Sequence, residues 1–372
     1  MQALRIVPKV FLFDTFKEFN DEFKISKKDL LVTNEGLYAL HVEPLGIDTN
    51  VMYRAKYGAG EPTEEMIDAM ARDAKKVDFD RIIAFGGGAV IDICKVLALD
   101  VPAKSADLFT GKAAPKKIKQ LIAVPTTCGT GSEVTNVTIT ELRELKIKKG
   151  LACEETYADF AVLIPQTAKE LPYKFFITSS ADALIHAIES FLSPKASPFT
   201  EMYSLRAIET IMTGYKEILL KGEGERYNHL KKFMFASTYA GIAFGNAGCA
   251  AVHALSYSIS GAFHVPHGEA NYQFFTEVFK MYERKKPDGK IKEATKLFAG
   301  FLGCGPEGDV YGELDTFLNR LIGKKKLRDY GMTESQIDEF TESTIANQQR
   351  LLGNNYVFLE KEEIREIFAN LF

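Results

Sequence analysis

The chain holds six histidines, and three of them, His253, His264 and His267, fall within fifteen residues in the stretch AAVHALSYSISGAFHVPHGEAN. A fourth, His186, lies four residues after Asp182 in SSADALIHAIES. On a helix that spacing puts both side chains on one face, with Glu189 nearby and Leu184, Ile188 and Phe191 facing the core. Ser179 and Ser180 are candidate N-caps of this helix. Taken alone the pair has a plain alternative, in which Asp182 favours a helix N-terminus and His186 is an ordinary surface or core histidine.

The later histidines shift that balance. GNAGCAAVHALSY reads as a small-residue helix presenting His253, and HVPHG as a loop that Pro266 stiffens ahead of His267. One carboxylate and three imidazoles, Asp182, His186, His253 and His267, make a nitrogen and oxygen ligand set suited to Fe(II), Zn(II) or a similar divalent ion. His264 is a spare imidazole that either lines the site or merely hydrogen-bonds there. With no cysteine among the ligands, the set suits a catalytic site, which keeps a position open for substrate. A bound divalent ion can lower the pKa of water from about 15.7 to about 7. The same shift in an aliphatic alcohol is on the order of 10 kcal/mol in favour of its deprotonated form.

A second constellation lies earlier in the chain. RIIAFGGGAVIDICK puts Gly86, Gly87 and Gly88 between a strand and a helix. Glycine permits positive φ and close approach of a phosphate, and the following helix offers free N–H groups and the positive end of its dipole. The motif is neither GxGxxG nor a Walker loop, and a tight strand-to-helix turn would also use it. VPTTCGTGSEVT adds the hydroxyls of Thr126, Thr127, Thr130 and Ser132, with Gly129 and Gly131 allowing close approach. Both stretches end strands, so both could lie at the carboxyl edge of one sheet, where open parallel sheets bind ligands. Two such loops suit a dinucleotide, and a metal site beside a dinucleotide site suggests hydride transfer.

The elements that must position these residues divide the chain near TAKELPYKF, at 171/172. Before it, DLLVTNEG, NVMYRAKYG, DRIIAFGGG and KQLIAVPTT read as strands alternating with helices such as PTEEMIDAMARDAKKVDF and AVIDICKVLAL. That alternation predicts an α/β domain with a parallel, Rossmann-like sheet over 1–171. After it, apolar residues recur at three- and four-residue spacing and strand signals fade, which predicts an all-helical metal-binding domain over 172–372.

Four stretches taken together, GGGAVIDICK, PTTCGTGSEVT, ADALIHAIE and VHALSYSISGAFHVPHGEAN, resemble the iron-containing (group III) alcohol dehydrogenase family, in order from about residue 30 to about residue 275. The resemblance implies that Asp182, His186, His253 and His267 are the metal ligands, usually of Fe(II) and in some members Zn. It implies that Gly86, Gly87 and Gly88 hold the cofactor pyrophosphate, with Asp92, Lys95, Thr126, Thr127 and Thr130 as further cofactor residues. Many members have GGGS where this chain has Ala89. Many carry a second histidine four residues after the one matched by His253, where this chain has Tyr257, whose hydroxyl could relay a proton. Many NAD-using members have Asp at the position of Asn34. Asp repels a 2′-phosphate and Asn does not, so NAD is preferred and NADP stays open. Within the family, HALSY and FHVPHGEANYQFF most resemble the subgroup acting on 4-hydroxybutyrate and succinate semialdehyde. A substrate carboxylate would call for a basic partner; Lys149 is a candidate, and a solvated hairpin lysine is its plainer reading.

Alternatives within the superfamily are a dehydroquinate-synthase-like cyclase and a glycerol-dehydrogenase-like enzyme, and from another class a nucleotide-sensing scaffold. A net charge of −4 argues against a nucleic-acid footprint. No stretch reads as a signal peptide or membrane span. Five scattered cysteines without a CxxC pair suggest the reducing cytoplasm. The resemblance further implies a homo-oligomer, a dimer or larger.

Overall fold

The computed structural model describes residues 2–145 and 147–372. Its strands, in chain order, are β1 (Lys9–Leu12), β2 (Asp29–Thr33), β3 (Asn50–Tyr53), β4 (Arg81–Gly86), β5 (Gln120–Pro125), β6 (Val137–Leu142), β7 (Ile147–Ala152) and β8 (Phe160–Leu163). Helices α1 (Phe16–Phe23), α2 (Glu35–His41), α3 (Glu64–Ala74), α4 (Gly88–Leu97) and α5 (Ala106–Thr110) intervene. Six strands form one parallel sheet in the order β1-β8-β5-β4-β2-β3, while β6 and β7 pair as a separate antiparallel ribbon.

The central strands are apolar at successive positions because both faces of the sheet are covered. Leu30, Val32, Ile82 and Ala84 pack on one side with Ile67 and Met70 of α3 and Ile91 of α4. Leu31, Ile83 and Phe85 pack on the other with Phe16 and Phe19 of α1. From β2 the chain steps out to β3 and returns to β4 on the other side of β2, so the order in which strands are added reverses there while all strands stay parallel. The strand expected from NVMYRAKYG stops at Tyr53 and gives way to a 3-10 turn over Arg54–Tyr57. Its partner β2 has ended at Thr33, opposite Tyr53, and leaves nothing for Arg54 to pair with.

The helices that follow are α6 (Tyr173–Leu192), α7 (Pro198–Lys221), α8 (Arg226–Ala247), α9 (Ala251–Phe263), α10 (His267–Lys285), α11 (Lys290–Leu302), α12 (Val310–Leu321), α13 (Gln336–Asn347), α14 (Gln349–Leu352) and α15 (Lys361–Leu371). Among the described residues no strand follows β8. The chain forms two compact units, Ile6–Leu171 and Pro172–Phe372, with the residues up to Arg5 joining the second. That segment is tied to helices: Arg5 N–H donates to Asn246 Oδ1 (2.7 Å), Asn246 Nδ2 returns a bond to Arg5 O (3.0 Å), and Ser197 Oγ donates to Ala3 O (2.8 Å).

Helix α6 is the axis of the helical unit, with α7, α8 and α10 packed around it. It is long and apolar enough to cross a membrane by length and composition, but 89% of its apolar window is buried inside the unit. Burial on nearly every side is what an axial helix of such a core requires. Ser179 and Ser180 do not cap it. It starts at Tyr173, after Pro172, and both serines turn back onto the carbonyl of Phe176, at 3.2 and 2.8 Å. Ser180 also meets the Tyr215 hydroxyl, so its polarity is satisfied in the core rather than at an end.

Nor is GNAGCAAVHALSY one helix. Gly248, at φ +82°, ends α8, and α9 starts at Ala251. The broken turn is held from far along the sequence: Asn354 Nδ2 donates to the carbonyls of Ala247 (2.9 Å) and Cys249 (3.2 Å), and Ser193 Oγ to Ala247 O (2.7 Å). HVPHG is only partly a loop. His264, left-handed at φ 53°, closes α9, and His267 is the first residue of α10, with Pro266 as its N-cap.

Candidate metal centre and nucleotide cradle

Three helices bring four side chains to one point. Asp182 and His186 come from successive turns of α6, His253 from the first turn of α9, and His267 from the first residue of α10. One ligand atom from each lies within 4.8 Å of all the others. Asp182 Oδ1 is 3.8 Å from both His253 Nε2 and His267 Nε2, and Asp182 Oδ2 is 3.8 Å from His186 Nδ1. These separations are too long for hydrogen bonds. Ligand atoms about 2.0–2.2 Å from a shared ion in tetrahedral array stand roughly 3.3–3.6 Å apart, close to what is seen. His253 Nε2 is buried and has no hydrogen-bond partner. A buried ring nitrogen carries a desolvation cost unless something binds it, so the donor set fits a divalent cation.

The surroundings fix the set. His186 stacks between Phe244 and His253, with centroids 4.1 and 4.6 Å away. Asn271, one turn along α10 from His267, donates from Nδ2 to Asp182 Oδ1 (2.7 Å) and stands 3.1 Å from His267 Nε2; its own carbonyl oxygen accepts from Ser256 Oγ. Burial alone would raise the Asp182 carboxyl, but the three imidazoles and the Asn271 amide outweigh it and hold it below the usual carboxylate range. Asp182, His186 and His253 side chains are 2–5% exposed and His267 29%, so the centre opens on the His267 side. The Tyr257 ring is 5.8 Å from that of His267. His264 is exposed at the end of α9 and is not part of the convergent group. A further cluster, Glu217, Glu225 and His229, already holds a cation: the Lys221 ammonium lies 2.8 and 3.2 Å from the two carboxylates.

In the sheet unit the two glycine-containing loops lie side by side. Gly86 is in register with Pro125, and Thr126 N–H donates to Gly86 O (3.1 Å). None of Gly86, Gly87 and Gly88 has positive φ; their value is close approach. A Cβ on Gly88 would stand 2.6 Å from Thr130 Cγ2, one on Gly87 3.3 Å from Thr127 Cγ2, and one on Gly86 2.7 Å from Val90 Cγ2. Gly87 caps α4 without a side chain, so the first N–H groups of that helix are left for an anion. Asn34 is the exposed N-cap of α2 at the same carboxyl edge, accepting from Leu37 N–H (2.9 Å). Lys149 is exposed on β7 opposite Thr140.

Asp92, Lys95 and Ser132 are engaged with one another beneath the threonine loop. Lys95 Nζ, fully buried, donates to Ser132 Oγ (2.7 Å), Thr135 Oγ1 (3.3 Å) and Val137 O (2.6 Å). Ser132 Oγ donates to Asp92 Oδ1 (2.5 Å), and Asp92 Oδ2 accepts from Ile139 N–H (2.9 Å). Burial, against the pull of Asp92 and Glu133, brings the Lys95 ammonium down to about 8. Between that value and the ordinary lysine pKa the unfolded chain binds more protons than the folded one, so this group's contribution to stability rises with pH. Relative to Lys95→Met, the wild type is therefore expected to gain about 1–2 kcal/mol of stability from pH 7.5 to 9.5. Urea unfolding of both proteins at the two pH values measures it; a pH-independent difference would contradict the sign.

Residues 8–165 match the family model for iron-containing alcohol dehydrogenase, and residues 176–372 that for the C-terminal part of the Fe-containing alcohol dehydrogenase family. The chain belongs to the iron-containing alcohol dehydrogenase family. It is thus an oxidoreductase, and the cyclase-like and glycerol-dehydrogenase-like alternatives are not favoured. Across its full length the chain is 50% identical to the 4-hydroxybutyrate dehydrogenase of Clostridium kluyveri, and the match spans 100% of both proteins. It superposes on an archaeal halo-thermophilic alcohol dehydrogenase from a Red Sea brine pool with a TM-score of 0.86 at 23% identity, covering 100% of this chain and 99% of the other. It superposes on the sulfoacetaldehyde reductase of Bifidobacterium kashiwanohense, solved in complex with NAD+, with a TM-score of 0.82 at 21% identity, covering 100% and 98%. These structural likenesses establish the α/β plus helical fold of this dehydrogenase. The histidine pattern singles out neither Asn271 nor Gly268, where a Cβ would stand 2.5 Å from Thr178 O and 3.4 Å from Asp182 Cβ. The four-residue step from His267 to Asn271 was a readable sign that both share a face of α10.

Proposed function

We propose that this dehydrogenase interconverts 4-hydroxybutyrate and succinate semialdehyde with NAD, using one divalent ion held by Asp182, His186, His253 and His267. The convergence of those four side chains around the unpartnered His253 Nε2 carries the reading. The full-length similarity to the Clostridium kluyveri enzyme supports the substrate. Fe(II) is the expected metal, with Zn(II) as the alternative. When bound, the ion would supply Lewis acidity toward an alcohol or carbonyl oxygen, and the nicotinamide would supply hydride-transfer chemistry. The balance is 4-hydroxybutyrate plus NAD+ giving succinate semialdehyde, NADH and a proton.

The chain's own residues do the rest. In this reading residues 6–171 form the nucleotide domain, and 172–372 the metal domain, to which the segment up to Arg5, expected with the first domain, belongs instead. Gly86, Gly87 and Gly88 admit the pyrophosphate, the start of α4 donates to it, and Thr126, Thr127 and Thr130 line the loop beside it. Asp92, Lys95 and Ser132 brace that loop. Asn34, uncharged, leaves room for NADP as a second cofactor. Tyr257, half-buried near His267, takes the proton-relay role; His264 serves as no more than a group at the rim. A homo-oligomer working in the cytoplasm completes the proposal.

The test is a panel of ω-hydroxy acids and diols against NAD and NADP, with Fe(II) or Zn(II) added. The expected result is sustained NADH production, with kcat/KM for 4-hydroxybutyrate at least about tenfold above that for 1,4-butanediol, a preference worth about 1.4 kcal/mol. No NADH from any ω-hydroxy acid with metal-loaded protein would end the substrate assignment. In the same assay Tyr257→Phe is expected to lower kcat and alter its pH profile. Full turnover at every pH would remove Tyr257 from the relay.

A further inference from the structure

We propose that Glu189 is a positioning residue of the metal centre, which holds His253 as its Nδ1–H tautomer and so presents the Nε2 lone pair to the ion. The inference rests on the four-ligand reading above.

Glu189 lies two turns along α6 from Asp182, with its side chain fully enclosed at 0% exposure. Among the described residues no lysine or arginine pairs with it. Its charge is met by two backbone N–H groups at the start of α9 and by the ring of His253. Oε1 accepts from Val252 N–H (2.7 Å), and Oε2 accepts from Ala250 N–H (2.9 Å) and faces His253 Nδ1 at 2.6 Å. A carboxylate is an acceptor only, so the ring nitrogen it touches must carry the hydrogen. A neutral imidazole protonated at Nδ1 is bare at Nε2. That nitrogen is the one buried without a partner and 3.8 Å from Asp182 Oδ1. Cys249 shares this corner, with its sulfur within 4.8 Å of both side chains, but sulfur is a much weaker acceptor.

One side chain therefore does two things. It caps the first turn of α9, so the backbone carrying His253 is placed from α6, the same helix that supplies Asp182 and His186. It also sets which nitrogen of His253 is free. Glutamine keeps the shape but not the chemistry. If its NH2 faces Nδ1, the ring is driven toward the Nε2–H tautomer, which cannot bind a metal through Nε2. If its NH2 instead faces Val252 N–H, two donors meet.

The experiment uses the full chain, metal-free and titrated with Zn(II) alone, as wild type, Glu189→Gln and Glu189→Asp. Loss of such an outer partner typically weakens metal binding by about 10–100-fold. Competition with a chromophoric chelator is expected to show that loss in Glu189→Gln and partial recovery in Glu189→Asp. Nitrogen NMR of histidine-labelled, metal-free protein is expected to report His253 as Nδ1–H in wild type and shifted toward Nε2–H in Glu189→Gln. A purely structural cap would lower the metal-free unfolding midpoint while leaving tautomer and affinity unmoved, and that result would overturn the proposal. So would a neutral ring protonated at Nε2 and bare at Nδ1 in the wild type, a measurement that needs no variant to fold. A wild type that binds no Zn(II) would count against the metal centre itself, while the tautomer would still decide the role of Glu189.

Discussion

His267→Ala is expected to empty the metal centre and lower alcohol oxidation by at least about 10³-fold, the several kcal/mol that a Lewis acid contributes. Of the four converging residues His267 is the cleanest to remove. Its side chain is 29% exposed and it opens α10 rather than lying within a helix, whereas Asp182, His186 and His253 are enclosed. Truncation should leave the metal-free fold within about 1 kcal/mol of wild type, as for substitutions away from the core. Metal analysis after dialysis, run beside steady-state NADH production, checks the prediction. Free imidazole is expected to restore part of both, because the vacated position faces outward. Wild-type metal content together with wild-type turnover would show that the convergence of these four side chains is not what makes the chain a dehydrogenase.

The parts of this site that could be read from the sequence are those set by helical or strand geometry alone. Asp182 and His186 are four residues apart, and on any helix that makes them neighbours. DRIIAFGGG and KQLIAVPTT are apolar runs ending in glycine or hydroxyl residues, and two adjacent parallel strands bring such ends together without further help. What could not be read depends on partners distant in sequence. Ser179 and Ser180 look like caps until the Tyr215 hydroxyl, 35 residues beyond Ser180, gives one of them a reason to be buried. The break before His253 is held by Asn354 and Glu189, more than sixty residues away on either side. Nothing within GNAGCAAVHALSY distinguishes a glycine that ends a helix from one that lets helices approach. The family resemblance makes Lys95 a cofactor residue. Only the ribbon of β6 and β7, folding back over α4, shows its ammonium enclosed by Ser132, Thr135 and Val137.

With those partners in place, the convergence of the four candidate ligands is set by backbone as much as by side chains. Asp182 and His186 share α6, so their separation is fixed by the helix itself. His253 and His267 each enter in the first turn of a helix, where side chains and backbone N–H groups are not yet tied into the regular ladder. Their positions therefore depend on how the two helix starts seat against α6. Glu189 seats the first of them. The second is seated by an approach that only glycine permits.

Gly268→Ala is expected to dislodge the start of α10 and lower kcat/KM by about 10²-fold, the usual cost of a 1 Å misplacement at a reacting centre. A Cβ at this position would stand 2.5 Å from Thr178 O, 3.1 Å from Thr178 C and 3.4 Å from Asp182 Cβ. Thr178 O belongs to the backbone of α6 and cannot swing aside, so α10 must move instead, carrying His267 before it and Asn271 after it. Overpacking of this kind costs about 1–3 kcal/mol in stability. The strain is steric and not conformational, since Gly268 is not at positive φ. Gly300, within α11 and with nothing inside 4 Å of where a Cβ would stand, is the matched control. There alanine should stabilise by about 0.5–1 kcal/mol through helix propensity alone. Urea midpoints, Zn(II) affinity and turnover of the two variants separate the effects. If Gly268→Ala behaved like Gly300→Ala in all three, the contact between α10 and α6 would not be what sets His267 opposite Asp182.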